Sequence, residues 1–228
     1  MSSPETEAPI LPMPPVVVAL FLVLIGIEAA FGLATRGLIG GPTAVGWRLE
    51  AVQAYSFAPN VIDWMVENHR YPADQLIRFV SYTFIHGSFT HAMFAGVILL
   101  AMGKFVSVAM GPVSTLIVYF ASAFVGATGY WLILDNPAPL IGAYPAVYGL
   151  IGTFTYMLWV RLKQTGGQQA RAFTLIGFLV GLQLLFGLLF GGANDWLADI
   201  LGFATGFALS VPLVNGGWAG LLRKIRRD

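Results

Sequence analysis

The sequence predicts an all-α, polytopic membrane protein with six transmembrane helices, and three observations carry that expectation. Of its 228 residues, 57% are hydrophobic and only 10% are charged. A water-facing domain carries roughly 25% charged residues, so lipid must replace water as the solvent. Six apolar stretches approach the length of about 20 residues that crosses about 30 Å of hydrocarbon. Finally, the basic residues gather at alternate ends of those stretches, as short cytoplasmic loops require.

Composition also excludes function classes. A net charge of +1 leaves no basic footprint for nucleic acid. The absence of cysteine removes disulfides, thiolate metal sites and cysteine nucleophiles. At this length one membrane domain is expected.

Residues 1–14 are polar and proline-rich, with Glu5 and Glu7 and no basic residue. A secretory signal would open with a positive segment, so this stretch is read as a disordered cytoplasmic tail. The membrane domain covers 15–214. Its spans run about 16–33, 79–102, 113–134, 146–160, 173–190 and 196–213, followed by a basic cytoplasmic tail at 215–228. A long loop, about 35–77, separates the first two spans. Lys104, Arg161, Lys163, Arg171, Arg223, Lys224, Arg226 and Arg227 fall on one side, while Arg36, Arg48, Arg70 and Arg78 lie in or beside the long loop. Both termini are therefore expected inside and the loop outside, in a bacterial inner membrane.

The fourth span is unusual. Pro137, Pro139 and Pro145 break regular helix before it, and Pro145 suits a first helical turn. The 16 residues from Pro145 to Val160 reach about 24 Å at about 1.5 Å each. The helix should start below the outer surface, and irregular backbone at that depth must be buried in protein or line a wet cavity. A cavity floored by the start of this span follows.

In the sixth span Ala198, Gly202 and Gly206 recur every four residues, a smooth stripe for close helix approach. Asp199 lies beside it, and an ionisable residue there marks a candidate site. Glu28, late in the first span, is expected to pair with a loop arginine. His86 and His91 are five residues apart, about 140° around a helix, which suits capping and packing better than a metal.

At this point a family resemblance emerges. The stretch Arg78-Phe79-Val80-Ser81-Tyr82-Thr83-Phe84-Ile85-His86-Gly87-Ser88-Phe89-Thr90-His91 resembles the start of the second span in rhomboid intramembrane proteases. Trp47-Arg48 resembles the Trp-Arg pair of their first loop. Gly142-Ala143-Tyr144-Pro145-Ala146-Val147-Tyr148-Gly149 is similar to their GxSG nucleophile motif and the helix after it. The stripe of the sixth span resembles their AHxxGxxxG. The likeness extends from Trp47 to Gly206, with the motifs in order, and implies a six-helix rhomboid-like bundle.

The departures fall on the chemistry. The resemblance implies a serine where this chain has Tyr144, followed by Pro145 in place of glycine. It implies a general-base histidine where Asp199 stands, and an HxxxN pair of oxyanion donors of which His91 is kept and Ala95 replaces asparagine. A serine nucleophile needs a base within hydrogen-bond reach, and losing one oxyanion donor costs about 10²–10³ in rate. Thr128, in Gly126-Ala127-Thr128-Gly129, has a nucleophile-like look but lies inside the third span, where small residues pack helices.

The expected function is therefore that of a rhomboid pseudoprotease. It would have no catalytic residues and no cofactor, and would bind transmembrane helices of client or partner proteins within the lipid. Its client surface is expected on the fifth span, around Phe178, Leu182 and Leu185, whose glycines Gly177, Gly181 and Gly187 permit close approach. The alternatives are a membrane enzyme of different chemistry using Asp199, Tyr144 and His91, an accessory subunit of a larger complex, or a proton relay through Glu28 and Asp199.

Overall fold

The computed structural model describes residues 12–134, 136–181 and 195–214, and no residue among them is in an extended strand. The first helix, α1 (Pro15–Thr35), opens on Pro15, whose missing N–H costs nothing in a first turn. It ends where Gly37 takes φ +69°. Val17, Leu20, Leu24, Glu28, Phe31 and Ala34 form its buried face, at helical spacing.

The segment expected as one long polar loop is instead built from short helices. A 3₁₀ turn (Pro42–Gly46) leads into α2 (Trp47–Tyr55), followed by α3 (Pro59–Glu67), α4 (Ala73–Leu76) and α5 (Arg78–Ser81). Arg78 binds this region together: its guanidinium donates to the carbonyls of Ser56 and Gln53, both at 2.9 Å, and to the Gln75 side chain at 2.6 Å. The first two acceptors belong to the C-terminal end of α2, where helix carbonyls lack partners of their own.

The second span does not begin at Phe79. After α5 come a 3₁₀ turn (Tyr82–Phe84) and an extended Ile85, and α6 (Phe89–Leu134) starts ten residues later than expected. Ser88 sets that start, its hydroxyl accepting the His91 N–H at 3.2 Å as a helix cap does. The first limb of α6 runs past Met102 and Lys104 before Gly111 (φ +83°) and Pro112 break it. Only glycine adopts that conformation without strain. The Tyr82 hydroxyl donates to the Ala123 carbonyl at 2.9 Å, and Phe84 packs on Tyr119 and Phe120. The second limb thus returns beside the segment that precedes the first, so the two limbs run in opposite directions.

The helix α7 (Tyr144–Gln164) is longer than its apolar core, continuing through Arg161 and Lys163 in its last turn. Cations there offset the negative end of the helix dipole. Next, α8 (Gln169–Gly181) opens with a 3₁₀ turn, and α9 (Trp196–Leu213) ends the described chain. Ten residues in the first three turns of α7 are buried, including Pro145, Ala146, Val147, Leu150 and Ile151, which makes it the centre of the bundle.

Among the described residues α1, α6 and α9 are long and apolar enough to cross a membrane. The second half of the fifth expected span lies outside the described residues, with Leu182, Leu185 and Gly187. So do residues 1–11 of the first tail and the basic tail at 215–228.

Candidate functional site

The site forms where the segments around His86, Tyr144 and Asp199 meet. The irregular stretch before α7 is held by backbone bonds to two distant partners. Phe57 and Leu140 exchange N–H···O bonds of 3.1 and 2.8 Å, and the Gly142 N–H donates to the Tyr82 carbonyl at 2.9 Å. Buried non-helical backbone is thus paired with protein, as its depth in a bundle demands.

Gly142 is required here twice over. Its φ is +99°, and a Cβ would sit 2.5 Å from the His91 Nε2. The imidazole lies directly against the backbone that turns the chain into α7. Beside it, His86 Nε2 accepts the Ala143 N–H at 3.3 Å, satisfying a donor at the start of that helix. The two imidazoles meet edge to face, centroids 5.0 Å apart, and His91 then stacks on the Tyr144 ring at 4.9 Å. His86 is not on the helix that carries His91; it sits in the extended segment before it, which is how five residues of separation still bring the rings together.

A strut supports this arrangement from outside. The Arg48 guanidinium makes two bonds to the Glu28 carboxylate, of 2.9 and 2.6 Å, and also donates to the His86 carbonyl. It lies over the Phe31 ring at 5.1 Å. Glu28 is 2% exposed, so this paired, two-point geometry is what a buried carboxylate needs. The expected partner of Glu28 among the loop arginines is Arg48. Trp47, next to it, packs over Gly40 and takes no part in the site.

The close approach of α7 and α9 places Asp199. A Cβ on Gly202 would run into the Pro145 carbonyl, and one on Gly206 into the Gly149 carbonyl. Thr153 adds a 3.0 Å bond from its hydroxyl to the Gly206 carbonyl. Gly149 in turn admits Ser122 of α6, and Ala198 packs against Gly126. In this register Asp199 lies almost one turn before Gly202 on α9. Its side chain is 1% exposed, buried within the protein.

The Tyr144 side chain faces the histidine pair. The phenol turns onto His91 and packs against Tyr148, centroids 6.3 Å apart. Ala95 is fully buried in the core, and Thr128 spends its hydroxyl on the Phe124 carbonyl one turn back at 2.8 Å. Sequence reasoning missed Tyr82 and the Arg48 bond to the His86 carbonyl. Tyr82 lies within the quoted second-span motif, but nothing in its spacing signals the Gly142 N–H that its carbonyl receives.

Comparison with known proteins bears on this geometry. A Rhomboid domain model matches residues 73–216, more than half of the chain. The chain belongs to the rhomboid family. Within it, a protein of Bacillus subtilis (strain 168) named "Putative rhomboid protease YdcA" is 25% identical over 139 residues, covering 60% of this chain and 67% of the relative. The match takes in α4 to α9, and so His86, His91, Gly142, Tyr144 and Asp199 but not Glu28 or Arg48. With its apolar helices, the chain is a multi-pass integral membrane protein of rhomboid type.

Proposed function

We propose that this rhomboid-family protein has no peptidase activity and instead binds transmembrane helices of client or partner membrane proteins. The observation that carries the reading is the stack of Tyr144 on His91, at the head of α7 where the family resemblance implies a serine. A phenol held face to face with an imidazole keeps that ring from reaching a scissile carbonyl. A carboxylate at position 199 can accept a proton but lacks the second nitrogen through which a histidine is oriented while it does so. Ala95 offers no oxyanion donor. What such a chain keeps is a helix bundle with apolar outer faces. Phe178 on α8, 65% exposed, belongs to the face proposed to receive a client. The proposed setting is a bacterial inner membrane with both termini in the cytoplasm.

Photo-crosslinking tests the binding role. A photoreactive residue at Phe178, and others at Leu182 and Leu185, should each capture a discrete membrane protein. Residues at Leu22 and Val23, exposed on α1, should yield lipid adducts alone. The same diffuse lipid adducts from both helices, with no protein band, would remove the client-binding role. The proton relay through Glu28 is disfavoured by its two-bond pair with Arg48. A different membrane chemistry at Asp199, Tyr144 and His91 is favoured by the burial of that carboxylate within an apolar helix, and turnover of a substrate would distinguish it.

A further inference from the structure

Away from His91 and Tyr144, a cavity of about 290 Å³ opens between α3 and the end of the second limb of α6. Pro59, Asn60, Asp63, Trp131, Asn136 and Pro137 line it. Among the described lining residues its chemistry is one-sided: a single carboxylate, two amides, an indole and two proline rings, with no basic group. The Trp131 indole N–H donates to Asp63 Oδ1 at 2.7 Å, a bond between residues 68 apart in sequence. It fixes the carboxylate at the cavity wall and leaves a second oxygen with acceptor capacity. Asn136 Oδ1 accepts the Ala138 N–H at 3.0 Å, so that side chain is also held.

We propose that this cavity binds a primary ammonium group. The carboxylate supplies the counter-charge, Asn60 can add a neutral acceptor, and the indole and prolines can cover a short carbon stem. With room for about ten waters at about 30 Å³ each, the space admits a group of ethanolamine size with water beside it. Two sources share that chemistry: the ethanolamine headgroup of a phospholipid and a free small amine. The position favours the lipid. Trp131 lies in the last turn of a membrane helix, where aromatic side chains sit at headgroup level, and Trp64 on α3 is 45% exposed nearby in sequence.

The test uses full-length protein labelled with 5-fluorotryptophan in nanodiscs, the Trp131 resonance being identified by its loss in Trp131→Phe. In phosphatidylglycerol discs, ethanolamine is titrated with uncharged ethylene glycol as the control. A second preparation contains phosphatidylethanolamine. A saturable shift of the Trp131 resonance with phosphatidylethanolamine alone assigns a lipid headgroup; a shift with ethanolamine as well assigns the free amine. Asp63→Asn removes the charge but keeps an oxygen able to accept the indole N–H, so the cavity survives. That variant should weaken the response at least tenfold while the other tryptophan resonances stay in place. No shift from either source, or an equal shift in Asp63→Asn or with ethylene glycol, overturns the proposal.

Discussion

The Tyr144 ring lies on the His91 imidazole with centroids 4.9 Å apart and planes 27° from parallel. The contact fills the space beside Gly142, where the backbone has already approached His91 as closely as a residue without a Cβ allows. Replacing the phenol by a hydroxymethyl group would free His91 but would restore neither a base nor the second oxyanion donor. Tyr144→Ser alone should therefore cleave no transmembrane substrate, because Asp199 and Ala95 are unchanged. Substrate cleavage in proteoliposomes measures this, and rapid cleavage by the single variant would contradict it.

The same geometry predicts no labelling of the wild-type protein by serine-directed fluorophosphonates. Thr128 is the hydroxyl most like a nucleophile in sequence, yet it is bonded to the Phe124 carbonyl within its own helix. A labelled band on a gel that disappears with Thr128→Ala would show that the nucleophile lies there.

Arg48 joins α1, the first loop and the His86 backbone, so its loss should be felt as stability. Arg48→Ala leaves Glu28 buried without its counter-charge, a change that costs about 3–5 kcal/mol in a buried pair. Because the Arg48 side chain is 26% exposed, the lower end, about 3 kcal/mol, is expected. The double variant Glu28→Leu with Arg48→Leu should recover part of that loss, since no charge is left buried. Thermal unfolding in detergent compares the two. Equal destabilisation by single and double variants would mean that the pair matters for its packing and not its charge.

The glycine stripe was legible in the sequence because a four-residue repeat of small residues has one geometric meaning, and α7 and α9 do meet there. The break between the expected second and third spans was likewise signalled by Gly111-Pro112. The start of the second span was not. Phe79 to Phe84 is as apolar as a helix, and what stops it are bonds to Arg48 and Gly142, contacts that no local window contains. The residues of the candidate site were legible as positions, through the resemblance. Their contacts were not: Tyr144 stacks on His91, far away in sequence, and only the register of α9 on α7 was signalled by its glycines.

Gly206 gives a clean test of that register. A Cβ there meets the Gly149 carbonyl, which is backbone and has no rotamer to change. Gly206→Ala should destabilise the protein by about 1–3 kcal/mol, the usual cost of overpacking. Gly26 on α1 has nothing within 4 Å of its would-be Cβ. Gly26→Ala should be neutral or stabilising, since alanine is favoured in helices by up to about 1 kcal/mol. Unfolding measured side by side settles the matter. Equal tolerance at both sites would mean that α7 and α9 are not packed this closely.

Orientation is the remaining expectation, and it rests on eight basic residues on one side against four on the other. The fold adds a physical reason: Arg48 and Arg78, two of the four, are held by Glu28 and by loop carbonyls. They are structural charges and need not count toward the retention of a cytoplasmic loop. Excluding them sharpens the bias that places Arg161, Lys163 and Arg171 inside. A reporter active only outside the cytoplasm should therefore work when inserted near Ala73 and stay silent after Lys163 or at Asp228. Activity at Asp228 would require an odd number of crossings. It would contradict the even number of crossings that a six-helix rhomboid bundle demands.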